Sequence, residues 1–184
     1  MDNVRADLSR FIALDTPSRR LSPRLLGNFG LHSVLTYRLG RALSGLPRVL
    51  SFTLGLPAWF LYVILVAYIR AGYDVHLSLD ASIGPGFYVG HFGGIRISSC
   101  SIGHSCSVGQ QTRIGPTSQG GPGPTIGDRV WIGAHSKVFG QVTIGDGATI
   151  GAGTRILADV SPRSLVMGLP PRVLQTDFDN AALR

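Results

Sequence analysis

Glutamate is absent from this chain, and lysine occurs once, against sixteen arginines and ten aspartates. Such a bias follows base composition and says little about function. Charged residues reach only 15% of the 184, low for a soluble monomer, which implies large buried faces and hence self-association. The first residues carry Asp2, Asp7 and Asp15 and lack an apolar core segment, so they do not read as a signal peptide. No basic patch is interleaved with aromatics, which argues against nucleic acid as a partner. No Gly-x-Ser-x-Gly elbow occurs, so a serine-hydrolase nucleophile is excluded. Only two cysteines are present, and nothing asks for an oxidising compartment. A cytoplasmic location is the expectation.

What the chain has in quantity is glycine, 25 residues, and a period of six. Leu77, Ile83, Val89 and Ile95 begin the series. After a one-residue slip come Ile102, Val108 and Ile114, and then Ile126, Ile132, Val138, Ile144, Ile150 and Ile156. No helix or hairpin repeats at six. A triangular β-solenoid does, with one hexad per side and three per coil. Glycine usually follows the β-branched residue, near a corner where a positive φ is expected. Cys100 and Cys106 then fall on adjacent sides of a coil, too far apart for a disulfide, and read as small structural residues.

The repeat spans about 76–161, with a Gly/Pro/Ser/Thr excursion at 116–125. Before it, residues 3–15 read as an amphipathic helix ending near Pro17, and 16–23 as a loop. Leu25 to Leu46 reads as a second helix, with Leu31, Val34, Leu35 and Leu39 on one side. Residues 49–69 carry no charge. Three readings fit them: a buried or oligomer-interface helix, a membrane-surface or re-entrant helix, and a membrane span. The last is weakened by Ser51, Thr53, Gly55 and Pro57, and by Arg48 and Arg70 at its two bounds. Residues 1–70 hold nine arginines against three aspartates. That basic front reads either as a surface for anionic lipid or a phosphorylated partner, or as a solvated helical face. The organisation expected is a helical segment over 1–71, a solenoid domain over 72–174 and a polar, mobile tail over 175–184.

The stretch from Gly72 to Ile95, with Asp74-Val75-His76 and Gly90-His91-Phe92-Gly93-Gly94-Ile95, carries a family likeness. So do the slip, the excursion, Val130 to Ala134 and the closing Met167 to Val173. Over 72–174 the chain resembles the serine acetyltransferase branch of the hexapeptide-repeat acyltransferases. It resembles in particular the short members of exopolysaccharide and capsule pathways. The resemblance implies a mainly β, left-handed parallel β-helix with an N-terminal α-helical segment. It also implies a homotrimer with active sites between adjacent solenoids, and acetyl transfer from acetyl-CoA to a hydroxyl.

On this resemblance His91 is the general base, since imidazole suits proton removal near neutral pH. Asp74 is its orienting carboxylate, although two extra residues separate the pair relative to the family, and His76 or Asp80 could take that place. Gly133, Ala134, Gly151 and Ala152 would line the CoA groove, and Arg172 would meet CoA phosphate, with Lys137 and Arg155 as weaker candidates. No metal is expected. Neither cysteine matches a family nucleophile, so transfer is expected to be direct, without an acyl-enzyme.

Serine enzymes of this family carry an aspartate just before the base and an Arg-His pair near the end of the excursion. Here Gly90 stands before His91, and residues 116–125 hold no arginine or histidine. The sequence therefore points to a sugar or glycolipid hydroxyl as acceptor, at the inner face of the cytoplasmic membrane. The alternative is serine O-acetylation for cysteine biosynthesis. More distant are a non-enzymatic scaffold and a zinc hydratase, whose histidine spacing His91, His104 and His135 do not match.

Overall fold

The computed structural model describes residues 2–15, 27–46, 55–90 and 93–183. Three helices, α1 (Asp2–Asp15), α2 (Phe29–Ser44) and α3 (Leu56–Tyr73), precede the repeat. Fifteen short strands follow, from β1 (Val75–Leu77) to β15 (Arg172–Gln175). They stack in three sheets, one per side of a triangular prism. The first face holds β1, β4 (Ile95–Ile97), β7 (Arg113–Gly115), β10 (Lys137–Phe139) and β13 (Arg155–Ile156). The second runs from β2 (Ser82–Ile83) to β11 (Thr143–Ile144), and the third from β3 (Tyr88–Val89) to β15. All ladders are parallel except that between β14 (Leu165–Met167) and β15.

The hexad residues point inward and stack. Ile83, Ile102, Ile126 and Ile144 form one column, and Val89, Val108, Ile132, Ile150 and Val166 another. Each fully buried branched side chain contributes about 1.5–3 kcal/mol, so the columns dominate the stability of the prism. On the first face one expectation is corrected. The residue stacked between Leu77 and Ile114 is Ile97, whereas Ile95 pairs with Val75. The one-residue slip is thus split: two residues are added between Val89 and Ile97, and one is missing between Ile97 and Ile102.

The reason for glycine after each branched residue is also corrected. None of these glycines has positive φ; that conformation falls two residues on, at Gly86, Ser105, Gln111, Arg129, His135 and Gly153. What excludes a side chain is the next coil. A Cβ on Gly84, Gly109 or Gly133 would lie 2.6 Å from backbone atoms stacked upon it.

The helices close the lower end of the prism. Phe11 is fully buried, and α2 lies so close that a Cβ on Gly30 would collide with the Val89 carbonyl. Asp7 and Arg38, both buried, pair at 2.8 Å. Asp7 also accepts from the Phe87 amide, and Arg38 donates to the Ile83 and Gly84 carbonyls. Arg10 donates to Gly86 O and Ser107 Oγ. Part of the basic front thus serves as internal fastening, not as a free surface for an anionic partner.

α2 begins at Asn28, whose side chain caps the Leu31 amide, later than the expected Leu25; residues 16–26 and 47–54 lie outside the described ones. Gly55 and Pro57 start α3, where Pro is tolerated in the first turn. α3 packs on α2 but is not buried by the rest of the chain. Only Ile69 is in the core, while Phe60 is 71% exposed and Leu56, Leu61, Val63 and Ile64 are exposed too. This overturns burial within the chain and leaves the interface and membrane readings.

Two further expectations are corrected. Residues 161–173 do not simply leave the coil, since β14 extends the third face before β15 returns against it. The tail is fastened: Asn180 is 2% exposed and its amide donates to the Arg129 and Gly147 carbonyls.

Candidate active site

One corner of the prism, between the third and first faces, collects most of the expected site. The register places Gly90, Gly109, Gly133 and Gly151 one above another, followed by Met167. Arg172 lies opposite Met167 on β15. Six rungs at the sheet spacing make a lane of about 24 Å along the solenoid. Ala134 and Ala152 flank it on stacked positions, the first half-buried and the second exposed. Over Gly90, Gly109, Gly133 and Gly151 no side chain projects, and at Gly109 and Gly133 the backbone of the next coil forbids one. The lane is therefore narrow and smooth, edged by backbone amides and ending in a guanidinium.

His91 and Phe92 lie outside the described residues. Their neighbours fix the corner. The Gln111 amide donates to Gly93 O at 2.7 Å, and the Ile95 amide to Asp74 O at 3.1 Å. Gly93 and Gly94 both have positive φ, and a Cβ on Gly94 would collide with the Gln111 side chain. Asp74, the left-handed C-cap of α3, stands beside this corner because Val75 pairs with Ile95. Its Oδ1 meets His76 Nε2 and an Arg96 guanidinium nitrogen, each at 3.2 Å. Asp74, His76 and Arg96 thus form one half-exposed cluster. Asp80 is apart from it, tied at 3.0 Å by the Ser78 hydroxyl in its own turn.

Lys137 and Arg155 are not in the lane but project from the first face. His104 pairs with Asp128 at 2.9 Å on the corner between the second and third faces, away from His135. Among the described residues no three metal-ligating side chains converge. Burial pushes the thiols of Cys106 up to about 11 and Cys100 up to about 12, which removes both as nucleophiles near neutral pH. Sequence reasoning missed Gly109 and Met167 in the lane, and Arg96 beside Asp74. Gly109 becomes visible once the excursion is subtracted from the spacing between coils.

The excursion, 116–124, packs down on the coil beneath it. Pro124 is buried, and its carbonyl accepts from the Ser101 amide at 3.0 Å.

Residues 123–158 match the family of bacterial transferase hexapeptide proteins (six repeats). No curated protein sequence matches the chain. Among solved structures, soybean serine acetyltransferase is 30% identical, with a TM-score of 0.74, over 94% of this chain and 67% of its own. The Neisseria gonorrhoeae enzyme is 26% identical, with a TM-score of 0.78, over 97% of this chain and 66% of its own. The Brucella abortus strain S19 enzyme, at 24% identity and a TM-score of 0.76, shares the fold over 94% of this chain and 68% of its own. The chain therefore spans about two thirds of the length of these relatives. The stacked hexads, the helical cap and these likenesses make the chain a member of the hexapeptide-repeat transferases, a left-handed β-helix acyltransferase of the serine acetyltransferase type.

Proposed function

We propose that the chain transfers acetyl from acetyl-CoA to a hydroxyl in one step. The observation that carries this is the glycine lane from Arg172 down to Gly90, which suits a pantetheine arm with its phosphates at the arginine end. Solved relatives bound to coenzyme A support the same co-substrate. His91 takes the acceptor proton as the oxygen attacks the thioester carbonyl. The CoA thiolate leaves and takes up that proton. Asp74 orients the base, Arg96 and His76 hold Asp74 in turn, and the working unit is a homotrimer. The protein works in the cytoplasm at the inner membrane face; the apolar, exposed α3 supports that location.

For the acceptor, the relatives are serine acetyltransferases, one of them in complex with serine. They support L-serine better than the sugar hydroxyl that the sequence suggests. The sugar reading keeps one specific argument: Gly90 and residues 116–124 offer no charge to hold a doubly ionic amino acid. Thiol release from acetyl-CoA decides between them. Robust turnover at millimolar L-serine establishes serine, and turnover with glycans but not serine establishes the sugar. His91→Ala should lower either rate by about 10²- to 10⁴-fold. An unchanged rate would remove the general-base reading.

A further inference from the structure

The outer side of the first face carries a straight ladder of basic side chains. The register aligns His76 with Arg96, Arg96 with Arg113, Arg113 with Lys137, and Lys137 with Arg155. Five basic side chains therefore point outward from successive strands, spanning about 19 Å at the sheet spacing. The four cations above His76 are exposed. Like charges placed directly opposite on neighbouring strands destabilise a sheet. Asp74 answers Arg96, but among the described residues no carboxylate pairs with Arg113, Lys137 or Arg155. The other two faces show nothing similar. The second presents Ser82, Ser101, Thr125 and Thr143, and the third presents Tyr88, Trp131 and Leu165.

We propose that this ladder binds an acidic linear polysaccharide, one anion to each of Arg113, Lys137 and Arg155. The spacing of the rungs is comparable with the length of one pyranose unit, so carboxylates on successive sugars can meet successive cations. Beside the upper rungs, in the next outward column, stand half-buried Phe139 and exposed Leu157, a small platform for the apolar face of a sugar ring. The column is one residue wide and has no interleaved aromatics on which successive bases could stack, which disfavours single-stranded nucleic acid. On the strands themselves the apolar accompaniment is limited to the Phe139 and Leu157 platform, so vesicle binding is expected to rest on α3 and not on the ladder. Its two lowest rungs, His76 and Arg96, meet Asp74 beside Gly93 and Gly94. A chain lying on the ladder therefore ends next to the candidate active site. The proposal stands on the geometry of this face, whichever hydroxyl is acetylated.

The test measures binding directly, so it is separate from any failure of acetyl transfer. The full chain is titrated with polygalacturonate, neutral dextran, single-stranded DNA and phosphatidylglycerol vesicles. Binding to polygalacturonate but not dextran is expected, weakening at least about tenfold between 50 and 200 mM salt as counterions are exchanged. The triple substitution R113Q/K137Q/R155Q should weaken it by at least about tenfold, from the loss of three charge-assisted contacts. Its Tm should stay within a few degrees, because all three side chains are exposed. Arg163→Gln, which removes an exposed arginine paired with Asp177 elsewhere, should leave binding intact. Undiminished binding by the triple variant would overturn the proposal. So would ladder-dependent binding confined to DNA or to vesicles.

Discussion

At the scale of single residues, the two kinds of corner glycine make opposite demands. Gly133 has no room for a methyl group, since Ala152 N would stand 2.6 Å from it and belongs to rigid backbone. Gly151 faces only the Met167 side chain, which can swing aside. Gly133→Ala should therefore cost about 1–3 kcal/mol by overpacking, and Gly151→Ala clearly less, as read from denaturant midpoints. The buried thiols give a second expectation. Both pKa values are raised, to about 11 and about 12 from 9.0, by desolvation. Neither thiol should react with a disulfide reagent in native protein at pH 8, and both should react on unfolding. A raised thiol binds its proton more tightly when folded, so this contribution is complete below pH 9. It declines as pH rises from 9 through the folded values. Tm should fall over that range. The stacking of the Gly133-Ala134 and Gly151-Ala152 pairs was readable from the sequence, because they lie one full coil apart. Arg96 was not, because its partnership with Asp74 depends on the first-face register, which the Gly90–Gly94 corner shifts.

At the scale of elements, the columns of branched residues were legible because burial repeats every six positions and nothing else does. The cation ladder was not. Successive rungs lie 20, 17, 24 and 18 residues apart, so no single period reveals them; the extra residues before Ile97, the short turn after it and the excursion each change the count. The tail was misread for a related reason: Asn180 is polar by composition but satisfies solenoid carbonyls that sequence cannot place. α3 was legible as an apolar helix, while its exposure was not, since periodicity does not say what covers a face. Its side chains Phe60 and Ile64 lie outside the core. Phe60→Ser with Ile64→Ser should thus leave Tm nearly unchanged, while reducing association with vesicles or with further copies. Flotation and light scattering would read those two effects, and a large drop in Tm would show that α3 is structurally buried.

At the scale of the whole molecule, a solenoid cannot end on bare hydrogen-bonding edges and an open core; it needs caps. The upper end is closed by the antiparallel return of β15. The lower end is closed by α1 and α2, and the fastening is electrostatic as well as apolar. Asp7, 0% exposed, receives both Arg38 and the Phe87 amide, and Arg38 carries the lowest second-face strand through the Ile83 and Gly84 carbonyls. Removing one partner strands a buried charge, which costs about 3–5 kcal/mol. Asp7→Ala should therefore lower stability by that amount in denaturant titration. Asp7→Ala with Arg38→Met removes both charges and recovers part of the loss. Recovery is incomplete, because the Ile83 and Gly84 carbonyls and the Phe87 amide lose their partners, and each unmet buried group costs about 1–3 kcal/mol. If the double variant were as unstable as the sum of the two single ones, the pair would not be coupled and the cap would be held by Phe11 and its neighbours alone. Coupling of the two sites would mean instead that the ion pair itself fastens α1 to α2 beneath the lowest coil. Asp7, within α1, would then help to hold in place the coil on which the candidate active-site corner is built.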